Sequence, residues 1–242
     1  MSCSPVTAGG WNGVLIDKGY KLLLLDQRGT GMSNTITADF LAKQGDAKQQ
    51  ATYLKLFRAD SIVRDAEAIR KALTKNYPEE TKKWSILGQS FGGFCCVNYL
   101  SRFPEGLREV FITGGLPPLV KEPFPVYQKL SQKVEQRSLE YYEKFPEDVH
   151  RVQAIARYLR ENQVKTHTGG FLTPHRLQAL GIILGFHRLG LEGLHNLILR
   201  MWNDLEMFGS FTRPTIQIFD DQGSFDTSIL YALLHEACYL NG

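Results

Sequence analysis

Cysteine is scarce: the 242 residues hold four, and Cys3, Cys95, Cys96 and Cys238 form no Cys-x-x-Cys pair. That argues against a disulfide framework and a thiolate zinc site, and leaves reduced, packed thiols of a cytoplasmic protein as the expectation. Long apolar runs are missing too. The longest near the N-terminus is Leu22, Leu23, Leu24 and Leu25, far short of the roughly 18 residues that a membrane span needs. Residues 1–10 have neither the basic nor the apolar region of a secretion signal, so none is expected. An excess of one charge is also lacking. Lys and Arg number 28 against 25 Asp and Glu, a net +3, so neither nucleic acid nor a membrane surface is expected as a partner. No internal repeat and no low-complexity tract occurs, and disorder, collagen and coiled coil are excluded as whole-chain readings. What is present is ordinary for a globular chain, with 43% hydrophobic and 22% charged residues. A chain of this size can bury roughly 70% of its unfolded surface.

The pattern divides the chain in two. Residues 1–120 alternate short β-like runs with helical ones. Residues 20–25 read as a buried strand ending at the turn-rich Asp26-Gln-Arg-Gly-Thr-Gly-Met-Ser33. A helix is predicted over 60–76, because Ile62, Ala66, Ile69 and Leu73 share one face, with Asp60 or Ser61 as its cap. Strands are predicted over 84–87 and 109–113, with a buried helix over 91–103 between them. This order is the α/β pattern with a parallel sheet. Residues 121–242 read as a largely helical cap region, with helices over 126–145, 148–162, 174–188, 191–207 and 227–240. One strand-like run, 215–219, interrupts them.

The sharpest motif is Gly88-Gln89-Ser90-Phe91-Gly92, backed by Gly93. A Gly-x-Ser-x-Gly between a strand and a buried helix is the setting in which a serine is held on a tight turn above a sheet. Gly88, Gly92 and Gly93 are expected to be needed because a Cβ there would clash. Ser90 is then the candidate nucleophile, with the Phe91 N–H facing the developing oxyanion. The competing reading is a serine that merely caps a helix. A serine nucleophile needs a base and an orienting acid. The histidines are His150, His167, His175, His187, His195 and His235. Ser90, Asp221 and His235 form the one tempting triad. It is set aside because His235 sits in an apolar helical pattern, whereas the base belongs on a loop at the top of the sheet.

Taken together, Asp26-Gln-Arg-Gly-Thr-Gly-Met-Ser33, Trp84-Ser-Ile-Leu-Gly-Gln-Ser-Phe-Gly-Gly-Phe94, Ile112-Thr-Gly-Gly-Leu-Pro-Pro118, Asn203-Asp-Leu-Glu206 and Tyr231-Ala-Leu-Leu-His-Glu236 resemble the proline iminopeptidase (prolyl aminopeptidase) family of the α/β-hydrolase superfamily. The resemblance implies a partial α/β-hydrolase core followed by a helical cap. It implies release of N-terminal proline from peptides by serine acyl transfer, with Ser90 as nucleophile, Phe91 as oxyanion donor, and no metal or cofactor. It also implies that cap glutamates hold the substrate's α-amino group; Glu236 is the first match and Glu206 the second. Asp26 and Arg28 are expected to be structural, as an Asp–Arg network around a glycine turn.

The chain departs from that family in three places. The family's His-Gly-Gly-Pro-Gly segment, which supplies the second oxyanion donor, has only Ala8-Gly9-Gly10-Trp11 in its place. The strand leading into it is absent. The alignment of motifs puts residues 215–242 inside the cap, so the acid and the histidine fall beyond the chain. The chain is therefore expected to be truncated at both ends, inactive by itself and poorly soluble. The alternatives are a non-catalytic remnant that binds peptides or a partner, and an esterase or amidase of the same fold. Oligomeric state stays open.

Overall fold

The computed structural model describes residues 10–185, 190–222, 225 and 227–239. The chain forms two compact units: Met1–Lys121 with Ser228–Gly242, and Glu122–Thr227. The last segment, however, joins the first unit and not the helical block.

In the first unit, β1 (Trp84–Gln89), α1 (Phe91–Arg102) and β2 (Leu107–Thr113) make a strand–helix–strand crossover. The strands pair in parallel, from Trp84 with Leu107 to Gln89 with Thr113. A parallel pair needs such a crossover, because a tight hairpin turn cannot reverse the chain twice. Before it lies α2 (Ala59–Leu73), whose buried face carries Ser61, Ile62, Val63, Glu67 and Arg70. Its cap position is Arg58, which makes no side-chain cap, so neither Asp60 nor Ser61 fills that role. Val63, Tyr99 and Leu107 form one core, packed against Trp84, Ile86, Cys95 and Val110.

Within it, Glu67 is only 3% exposed. The Arg70 guanidinium donates to both of its oxygens, at 2.8 and 2.7 Å, and the Tyr99 hydroxyl donates at 2.8 Å. Arg70 also donates to the Lys82 carbonyl at 2.7 Å. These donors, Arg70 first, hold the Glu67 carboxyl down at about 2. Gly106 leaves the room: a Cβ there would sit 2.7 Å from Arg70 Nε and 2.8 Å from Glu67 Oε2.

A second, smaller core gathers Ile36, Leu41 and Phe57 with Ile229, Leu230 and Leu234 from the returning C-terminal segment. The expected strand over 20–25 is not formed. No ladder includes these residues, and Leu23 is 61% exposed. A strand exists only where a neighbour takes up its N–H and C=O groups, and among the described residues none flanks this run. The turn after it behaves as expected. Gly29 and Gly31 take positive φ of 83° and 54°, and the Asp26 carboxylate accepts the Met32 N–H at 2.8 Å. Arg28 pairs with Asp65, at 2.6 and 2.5 Å.

The second unit is helical: α3 (Phe124–Lys144), α4 (Asp148–Glu161), α5 (Pro174–Ala179), α6 (Gly190–Phe208) and α7 (Arg213–Gln222). A two-residue hairpin, Val164–Lys165 with Phe171–Leu172, sits between α4 and α5. One continuous core runs through Tyr141, Ile155, Leu172, Leu197, Met201 and Phe219. The strand-like run 215–219 is corrected to the middle of α7. Pro214 favours a helix start, and Thr215 and Phe219, four apart, are both buried on one face.

Asp148, fully buried, is this unit's polar centre. It accepts from the Tyr141 hydroxyl, from Arg151 at 2.8 Å, and lies 2.9 Å from His195 Nδ1. The His195 ring stacks on Phe145 at 4.0 Å. No helix among the described residues is long and apolar enough to cross a membrane.

Candidate active site

Ser90 stands between β1 and α1 with φ 54° and ψ −123°. It is the one non-glycine with positive φ among the described residues. Such a backbone costs on the order of 1–3 kcal/mol and persists only where the surroundings enforce it. Here the enforcement is visible. The Ser90 N–H donates to the Thr113 carbonyl at 3.1 Å, tying the turn to the end of β2, and the Gly93 N–H donates back to the Ser90 carbonyl at 2.9 Å.

The glycines divide by role. A Cβ on Gly88 would collide with the Gly92 carbonyl, and one on Gly93 with the Gly115 carbonyl. At Gly92 itself nothing lies within 4 Å, so the expected clash holds for two of the three and not for Gly92. The sequence reading missed Gly115, whose Cβ would strike the Ser90 carbonyl. The glycine pair closing β2 was its signal.

The Ser90 hydroxyl makes no cap on α1, and the residue is exposed. A helix-capping serine would spend its hydroxyl on a first-turn N–H, so the capping reading fails. The Phe91 N–H opens α1, where first-turn donors lack intrahelical acceptors and the helix dipole is positive. Among the described residues the Ser90 hydroxyl has no hydrogen-bond partner, and no imidazole bonds to it. Burial pushes the Cys95 thiol up to about 12, with Cys96 and Cys238 adding to it, which makes it a packing group and not a rival nucleophile.

The other candidates fall in both units. Glu236 lies exposed in the short turn Glu236–Tyr239 of the first unit. Glu206 lies exposed on α6 of the second. His235 stands between the rings of Tyr231 and Tyr239, at 4.9 and 5.3 Å. Asp221 takes the Gln217 amide at 2.8 Å. His187 lies outside the described residues. A cavity of about 600 Å³ in the first unit is lined by Arg28, Asp65, Tyr53 and Phe57 and excludes Ser90. It belongs to the Asp26–Ser33 turn and not to the elbow. Among the described residues no group of three metal-ligating side chains gathers.

Residues 10–166 match the family described as alpha/beta hydrolase fold. Over all 242 residues the sequence is 46% identical to a proline iminopeptidase of Aspergillus aculeatus, covering 53% of that protein. Over 238 residues it is 37% identical to a proline iminopeptidase of Aeromonas sobria, again covering 53%. The chain thus spans about half the length of the curated relatives it matches.

Proposed function

Because the chain belongs to the alpha/beta hydrolase fold family, we propose that Ser90 is the nucleophile in release of N-terminal proline from peptides, as the relatives' names describe. The observation that carries this is the strained Ser90 backbone with its hydroxyl free of any capping bond. Ser90 Oγ attacks the prolyl carbonyl carbon, and the resulting oxyanion meets the Phe91 N–H. Collapse expels the next residue's amine with a proton, and water then cleaves the prolyl ester to free proline. No metal or cofactor enters these steps. Glu236, and Glu206 after it, would pair with the substrate's α-ammonium group. The free thiols of Cys95, Cys96 and Cys238 accord with a cytoplasmic setting.

The test is hydrolysis of a fluorogenic proline amide by the purified chain beside S90A. Turnover that disappears in S90A bears the reading out, in place of the inactivity expected from the sequence of the chain by itself. Release equal to S90A from a folded chain overturns the reading. It would favour a second one, a non-catalytic member that binds peptides, for which the absence of an imidazole on Ser90 among the described residues speaks. For the glutamates, in a version extended to the relatives' length, E236Q is expected to raise KM for free-amine substrates and spare N-capped ones. Equal losses on both would refute the amine clamp and favour an esterase or amidase.

A further inference from the structure

In the second unit, Gln153, Ala156, Arg157 and Arg160 lie on one face of α4 at helical spacing. With Val152 of the same helix and Gln178 of α5 they line a cavity of about 310 Å³. Neither arginine has an ion pair or hydrogen bond among the described residues. That contrasts with other arginines of the unit. Arg137 holds Glu140 at 2.6 Å, Arg151 holds Asp148 at 2.8 Å, and Arg200 donates to Thr215 at 2.9 Å. Glu161, four residues past Arg157, pairs with neither groove arginine. No carboxylate lines the cavity; the polar groups facing the arginines are the neutral amides of Gln153 and Gln178. Val152 and Ala156 add an apolar lining.

We propose that this groove binds an organic carboxylate with an aliphatic stem, of the kind a peptide C-terminus presents. The two guanidiniums, one turn apart on the helix, each offer parallel N–H donors to a carboxylate. The glutamine amides supply further donors, and Val152 and Ala156 take the stem. An inorganic anion would satisfy the arginines and leave that apolar lining unused. The site is independent of Ser90 and does not rest on the peptidase reading. Because the arginines are exposed, affinity is expected in the millimolar range and falls as salt rises.

The experiment titrates the full chain with N-acetyl-leucine, N-acetyl-leucinamide and inorganic phosphate, followed by calorimetry and by NMR shifts. Saturable binding of the acid, at least about tenfold weaker binding of the amide and of phosphate, and about tenfold loss in R157Q or R160Q are expected. Q178E, which places an acid across from the arginines, is expected to abolish binding without removing either one. Circular dichroism checks that each variant is folded. Equal binding of acid and amide, phosphate binding as tight as the acid, binding untouched by the variants, or no saturable binding would each overturn the proposal.

Discussion

In the first unit, Glu67 takes Arg70 three residues along its own helix and the Tyr99 hydroxyl from the next one. In the second, Asp148 takes Arg151 three residues along its helix and the Tyr141 hydroxyl from the preceding one. The polar clamp is the same; the apolar setting is not. Asp148 sits in one continuous core that all the helices of its unit share. Glu67 sits beside a core of three buried residues, and a second small cluster lies elsewhere in that unit. One face of the β1–β2 pair is also uncovered, with cross-strand neighbours Leu87 and Phe111 48% and 51% exposed. Parallel strands are normally buried on both faces. A clamp of given strength therefore carries a larger share of the first unit's stability.

The sharpest way to break this comparison is to remove each arginine. R70M leaves Glu67 with only Tyr99 and the exposed Lys71, and is expected to cost about 3–5 kcal/mol. R151M leaves Asp148 with Tyr141 and His195, and is expected to cost about 1–3 kcal/mol. Hydrogen exchange would read the loss unit by unit; equal losses would refute the comparison. Acid comes next. Glu67 is held near 2 in the folded chain, below the ordinary glutamate value. Its contribution is present above that ordinary value and drains away as pH falls toward 2, on the order of 3 kcal/mol in all. Denaturant melts between pH 5 and pH 3 should show the first unit weakening, with a shallower slope in E67Q.

A smaller effect sharpens the picture at the elbow. Gly93→Ala drives a Cβ into the Gly115 carbonyl and is expected to cost about 1–3 kcal/mol. Gly92→Ala meets open space on a helix and is expected to gain up to about 1 kcal/mol. Thermal melts of the two variants test this, and a cost at Gly92 would mean the turn is tighter than its geometry shows. Least of all in energy, Leu87→Lys with Phe111→Glu, an opposite-charge pair across the strands, should leave the melting temperature nearly unchanged while lowering self-association in sedimentation runs. Association unaffected by the pair would place the sticky surface elsewhere.

The elbow was legible in the sequence because everything that makes it is local. A β-strand, a glycine-flanked serine and an apolar helix occupy one short stretch, and the crossover follows from their order. The run 20–25 was misread because a strand depends on a partner that its own residues cannot reveal. The run 215–219 was misread because its alternation competed with a helix start at Pro214, and the helix won by burying Thr215 and Phe219 together. The Asp148 clamp joins Tyr141, Arg151 and His195 from three helices, so no spacing announces it. The helix expected over 227–240 shortens to Ile229–Leu234, with a 3-10 turn over Glu236–Tyr239, and its destination in the first unit was not legible.

That destination has a consequence during synthesis. The first unit is discontinuous: Ile229, Leu230 and Leu234 complete the cluster around Ile36, Leu41 and Phe57. The crossover, by contrast, lies wholly within residues 84–113. A chain leaving the ribosome can close the crossover, and with it the strained serine turn, while the rest is still being made. The cluster at Phe57 must wait until Ile229, Leu230 and Leu234 have been made, more than 170 residues later. Until then its apolar groups stay uncovered, and the helical unit, contiguous in sequence, has time to fold first.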